Sequence, residues 1–149
     1  MNLKSIIDLP VTPVLDHIPV PVRFDVVAIP GKGRGVIAVE ALSAGSVIIR
    51  DPVERYRCAE AEALRSHPIY YHLFVDPRAY GRAEQVDLLW AIGPISMVNH
   101  ADRPNCTIKW TADGAGEWVT LVAINDIAAG TELLISYTNI DEYDVRSFT

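Results

Sequence analysis

The chain has 149 residues, half of them hydrophobic, with 21% charged and a mean hydropathy of +0.17; that supplies one core, leaves little length for a second, and excludes a wholly disordered chain. Nineteen acidic residues against thirteen basic give a net charge of −6 and a pI near 5.1, so no basic stripe is at hand to neutralise nucleic-acid phosphates, and the balance instead suits a Lys- and Arg-rich protein partner. Cys58 and Cys106 make neither a disulfide framework nor a four-ligand zinc site, and no apolar run approaches the roughly 20 residues that cross a bilayer.

Met1 to Pro21 carries prolines at 10, 13, 19 and 21 and reads as an extended arm, residues 1–21, rather than a packed element. It lacks the basic start and continuous apolar stretch of a secretory signal, which places the expected site of action inside the cell, cytoplasmic in a bacterium and nuclear in a eukaryote. From Val22 to Ile29 the chain is valine-rich and predicts a strand. Pro30-Gly31-Lys32-Gly33 marks a sharp turn, Gly35–Val39 a second short strand, Leu42-Ser43-Ala44-Gly45 another turn, and Ser46–Arg50 a third strand. Cys58 to Arg65 has good helix formers and stops before Pro68. With the aromatic-rich stretch that follows, it reads as a small helical insertion, about 58–92, between two β halves. Strands resume at Thr107–Trp110. Asp113-Gly114-Ala115-Gly116 turns into Trp118–Ile124, and Glu132–Tyr137 is the last strand.

Three short segments could carry chemistry, and each has an ordinary alternative. Gly33-Arg34-Gly35 lets backbone approach a ligand closely, but glycines also simply make turns. It is no dinucleotide fingerprint, because no third glycine follows and a strand comes next. Asn99-His100-Ala101-Asp102-Arg103-Pro104-Asn105-Cys106 gathers amide side chains that can serve a ligand or pin the loop's own backbone. Tyr137 ends the last strand, where a tyrosine is commonly a core residue with a satisfied hydroxyl.

Taken in order, Lys32-Gly33-Arg34-Gly35-Val36-Ile37-Ala38, Asn99-His100 with Pro104-Asn105-Cys106, and Glu132-Leu133 through Tyr137 resemble the SET-domain protein lysine methyltransferases. Leu42–Ile48 and the Ile127–Leu133 lead-in fit the same pattern. The resemblance covers roughly Val22 to Tyr143. It implies a mostly β, β-clip-like fold of short sheets with a C-terminal pseudo-knot, one of the few exceptions to the rule that chains do not thread loops. The implied organisation is an arm at 1–21, a SET domain at 22–143 and a tail at 144–149.

The resemblance further implies S-adenosylmethionine as methyl donor, S-adenosylhomocysteine as product, no metal, and a lysine in a basic protein (histone, histone-like or ribosomal) as acceptor. Nucleic acid and membrane are not implied partners, and homodimerisation stays open. Lys32, Gly33, Arg34 and Gly35 would line the methionine part of the cofactor, and Asn99 and His100 its amino group and adenine edge. Tyr137 would aim its hydroxyl at the transferring methyl as the catalytic residue. Tyr56, Tyr70, Tyr71 and Tyr143 are candidates for the wall of a lysine channel, and Phe148, in the Tyr143–Phe148 tail, for covering the adenine. The chain departs from the family in having Ser96 and Met97 where arginine and phenylalanine are common, Ala101 where serine is common, and no cysteine clusters before Val22 or after Tyr137. Those departures motivate the alternative of a non-catalytic SET-like interaction module.

Overall fold

In the computed structural model, residues 22–142 are described. The 1–21 arm, the 144–149 tail, Tyr143 and Phe148 therefore lie outside the described residues. β1 (Phe24–Ile29) and β2 (Gly33–Ala38) form an antiparallel pair across the Pro30–Lys32 turn, with Phe24 opposite Ala38 and Ile29 opposite Gly33. Lys32 donates its backbone N–H to Ile29 O at 3.0 Å, closing the turn. β3 (Val47–Tyr56) outlasts the predicted Ser46–Arg50 strand, because inward Ile49, Asp51 and Val53 alternate with outward Arg50, Pro52 and Glu54. It becomes the centre of a five-stranded antiparallel sheet.

After β3 come α1 (Cys58–Leu64), a 3₁₀ turn (Pro68–His72), β4 (Leu73–Val75), β5 (Leu88–Ala91), a second 3₁₀ turn (Pro94–Met97), β6 (Asn99–His100), β7 (Cys106–Asp113), β8 (Gly116–Ala123) and β9 (Leu134–Ile135). The sheet order is β4-β5-β3-β8-β7. The 58–92 stretch, expected as a small helical insertion, also supplies two strands of the sheet. α1 and the first 3₁₀ turn form a small cluster with Ala61, Leu73 and Leu88 buried, but β5 lies directly against β3. Leu89 and Ala91 on β5 are wholly buried in the main core.

One partly buried ion network ties that sheet to the 76–87 loop. Arg55 donates to Asp76 Oδ2 at 2.8 Å, to Asp87 at 3.2 Å and to both Glu117 oxygens at 2.8 and 3.0 Å. Asp76 also accepts two side-chain hydrogen bonds and a backbone one from Arg78. Although burial opposes charge on Asp76, these donors outweigh it and hold its carboxyl well below the usual range.

The last predicted strand, Glu132–Tyr137, shrinks to Leu134–Ile135, which pairs in parallel with β6. Its remaining backbone groups find other partners. Glu132 bridges Ile37 across to β2, Leu133 N–H reaches Val36 O at 2.7 Å, and side chains serve the rest. Asn105 Nδ2 donates to Glu132 O and its Oδ1 accepts from Leu134 N–H, both at 2.8 Å. Ala101 N–H donates to Ile135 O at 2.9 Å. The final segment is therefore gripped by both arms of the 99–105 loop. No helix among the described residues is long and apolar enough to cross a membrane.

Candidate active site

Gly35 is fixed by space. A Cβ there would sit 2.6 Å from Ile29 Cγ1, 2.8 Å from Asn99 Nδ2 and 3.0 Å from Glu132 Oε1. Gly33 is fixed by conformation instead, with φ at +79° and nothing within 4 Å of its absent side chain. Between them the turn exposes backbone to open space at residue 33 and packs backbone against two polar side chains at residue 35.

Those side chains form one cluster. Asn99 Nδ2 donates to Glu132 Oε1 at 2.8 Å and to Arg34 O at 3.1 Å. Lys32 Nζ pairs with Glu132 Oε2 at 2.8 Å. So the structure brings Lys32, Arg34, Gly35 and Asn99 together, and it adds Glu132. The sequence reading left Glu132 without a role although it stands in the Glu132–Tyr137 motif.

His100, the next residue, faces Tyr137. Its Nδ1 accepts the Tyr137 backbone N–H at 3.0 Å, so Nε2 carries the proton and donates to Asp102 at 3.3 Å. The two rings lie 5.4 Å apart at a 53° tilt. The Tyr137 hydroxyl donates to Val98 O at 2.8 Å. The imidazole therefore acts as a strut for Tyr137, with Nδ1 holding its backbone and Nε2 turned to the exposed Asp102.

Beyond Tyr137 a cleft of about 430 Å³, mouth included, is lined by Tyr71, His72, Phe74, Ile108, Trp110 and Tyr137. Phe74 and Trp110 meet edge to face, with ring centroids 5.6 Å apart. Tyr71 is 57% exposed, at the rim. Of the predicted channel tyrosines, then, only Tyr71 among the described residues reaches this cleft. Tyr56 and Tyr70 pack in the small cluster around Ala61, Leu73 and Leu88 instead. That cluster needs large apolar side chains to cover α1, and Tyr70 lines a different cavity there. Trp110 and Ile108 alternate with outward Lys109 on β7, a period-2 signal that the sequence carried. Nothing local in sequence told which cavity that face would line.

Ser96 stands where the family commonly has arginine. Its Oγ donates to Gly93 O at 2.7 Å and its carbonyl meets His72 Nδ1 at 3.2 Å. Gly93 itself abuts the buried Asp51 carboxylate, 2.3 Å from where a Cβ would lie, and Asp51 accepts Ile95 N–H at 2.9 Å. Burial pushes the Asp51 carboxyl upward, against the pull of that one hydrogen bond. This contact sets the turn leading into Val98 and Asn99.

A family model described as the SET domain matches residues 33–138. The chain belongs to the SET-domain lysine methyltransferase family. Its SET domain is 31% identical over 106 residues to a histone-lysine N-methyltransferase of Schizosaccharomyces pombe, H3 lysine-37 specific, covering 71% of this chain and 67% of that protein. It is also 31% identical over 107 residues to the Neurospora crassa histone-lysine N-methyltransferase dim-5, H3 lysine-9 specific, but this covers only 32% of that longer protein. In fold, the SET domain resembles the crystal structure of a Plasmodium falciparum histone methyltransferase candidate, with a TM-score of 0.61 at 19% identity, over 79% of this chain and 95% of the other.

Proposed function

We propose that this SET domain transfers a methyl group from S-adenosylmethionine to the ε-amine of a lysine in a basic protein, histone, histone-like or ribosomal. One observation carries the reading. Two consecutive residues of β6 link two differently built sites, Asn99 belonging to the polar cluster on the glycine turn and His100 touching the tyrosine that lines the aromatic cleft.

The donor set fits the methionine end of the cofactor. That end bears an ammonium, which needs acceptors, and a carboxylate, which needs donors. Asn99 Oδ1 takes no hydrogen bond from the described residues and can serve the first. The Arg34 side chain and the backbone beside Gly33 can serve the second. His100 acts through its ring on Tyr137, and its backbone is the part left to meet an adenine edge. When bound, the cofactor supplies a sulfonium methyl open to attack by an amine.

The aromatic cleft supplies the nucleophile in its reactive form. A lysine of ordinary pKa costs roughly 4 to 5 kcal/mol to neutralise near pH 7. Tyr71, Phe74, Trp110 and Ile108 strip water from an entering ammonium and lower that cost. Tyr137, braced by His100 and Val98, presents its oxygen at the inner end, where CH···O contacts favour one line of approach. No step in this reading uses a metal.

The test is methyl incorporation from labelled cofactor into histones and lysate proteins by the full chain, with and without chelator, compared with Tyr137→Phe. The variant should lose at least tenfold in single-turnover rate, about 1.4 kcal/mol of barrier, with cofactor affinity little changed. It should also lose about 1 kcal/mol of stability, because Val98 O loses its donor. A single-turnover rate within twofold of wild type would sink the catalytic role. Activity abolished by chelator would sink the metal-free reading.

A further inference from the structure

We infer that Glu132 is a positioning residue for the cofactor site, setting which end of the Asn99 amide faces the ligand. The inference rests on the methyl-donor reading above. An asparagine amide can be turned either way, with oxygen and nitrogen exchanged, and only its partners decide. Here both partners of the nitrogen, Glu132 Oε1 and Arg34 O, are pure acceptors. The NH2 group must therefore face inward, and Oδ1 is left as the outward atom. An outward acceptor is what a cationic amine requires; an outward NH2 would set donor against donor.

Glu132 is itself held from two directions. Lys32 Nζ occupies its other carboxylate oxygen at 2.8 Å, and Asn105 Nδ2 fixes its backbone carbonyl at 2.8 Å. The carboxylate is largely covered, with 17% of the side chain exposed, and Gly35 packs against both it and Asn99. The lysine of the glycine turn thus orients the asparagine without touching it. A glutamine at 132 would break this logic. It can donate as well as accept, so it leaves Arg34 O alone to select the inward NH2, and its neutral amide forms no ion pair with Lys32.

The experiment is calorimetry of the full chain with S-adenosylhomocysteine and with its deaminated analogue, which lacks only the amine. Glu132→Gln should weaken the first at least tenfold and the second less than twofold. In an Asn99→Ala background, Glu132→Gln should change neither by more than twofold, because its effect passes through Asn99. Lys32→Met should show the same selective loss in smaller measure, and it carries the test should Glu132→Gln melt below the working temperature. Equal weakening of both ligands, or no weakening, would overturn the proposal while leaving the methyl-donor reading intact. Wild-type protein that binds neither compound would overturn that reading, and the proposal with it.

Discussion

Gly35→Ala and Gly33→Ala add the same methyl group two residues apart, and they should fail for different reasons. At Gly35 the new Cβ lands 2.6 Å from Ile29 Cγ1 and 2.8 Å from Asn99 Nδ2, about 1 Å inside ordinary contact. Ile29 can rotate away; Asn99 cannot without giving up its bonds. Overpacking costs about 1 to 3 kcal/mol, and displacing the Asn99–Glu132 bond, which has a charged acceptor, costs about 1.5 to 3 more. Against this, alanine stabilises by about 0.4 to 1 kcal/mol through the unfolded chain. The net loss is about 1.5 to 5.5 kcal/mol. At Gly33 nothing is struck, and the cost is the left-handed conformation alone, about 1 to 2 kcal/mol. Urea and thermal melts of both variants, with Gly33→Asn as a control that tolerates positive φ, read the difference directly. Ligand affinity should fall with Gly35→Ala in proportion to the loss of Asn99. If Gly33→Ala proves the more damaging, or Gly35→Ala melts within 2 °C of wild type, the steric argument is wrong.

Asp51→Asn should leave stability unchanged or raised at pH 7, since the amide oxygen still accepts Ile95 N–H while a desolvated charge is removed; Asp51→Ala, which orphans that buried donor, should cost about 1 to 3 kcal/mol in denaturant melts. Asp76→Asn should cost about 2 to 4 kcal/mol by uncoupling Arg55 and Arg78. Because folding lowers the Asp76 pKa, its contribution is complete above the ordinary carboxylate value of about 4 and is lost as pH falls below it. The variant should accordingly show a flatter stability profile than wild type below pH 4. Cys106 is buried and its thiol is pushed up to about 11, so at pH 8 an alkylating reagent should label Cys58 in the folded chain and reach Cys106 only in denaturant.

The glycine turns and hairpins were legible in the sequence because their causes are local. Gly31 and Gly33 do take positive φ, and Asp113–Gly116 does close β7 onto β8. The family order of motifs made the fold readable beyond that. What escaped the sequence is non-local. Leu88–Ala91 is an apolar run too short to tell strand from buried loop, and only burial against β3 makes it a sheet strand. Glu132–Tyr137 looked like a full strand, yet Asn105 and His100 take over as hydrogen-bond partners for much of it. Side-chain type alone does not separate Tyr71, which lines the cleft, from Tyr56 and Tyr70, which pack away from it. Tyr56, Tyr70 and Tyr71 are alike as aromatics, and only tertiary packing decides that Tyr71 shares a cleft with Tyr137.

The candidate site draws together residues far apart in sequence. Lys32 meets Glu132 one hundred residues away, Arg34 meets Asn99, and Tyr137 reaches back to Val98 and His100. Closing loops of that length precedes any reward from the contacts, which makes these among the slowest to form. Folding of the β7–β8 hairpin, whose strands are joined by a short turn, can run ahead without them. A chain on the ribosome therefore carries no ligand site until residue 137 has emerged and settled beside β6. Under the proposed function, a methyl donor bound there would stabilise only the completed topology, by mass action, and its binding would report chains whose last strand has been seated.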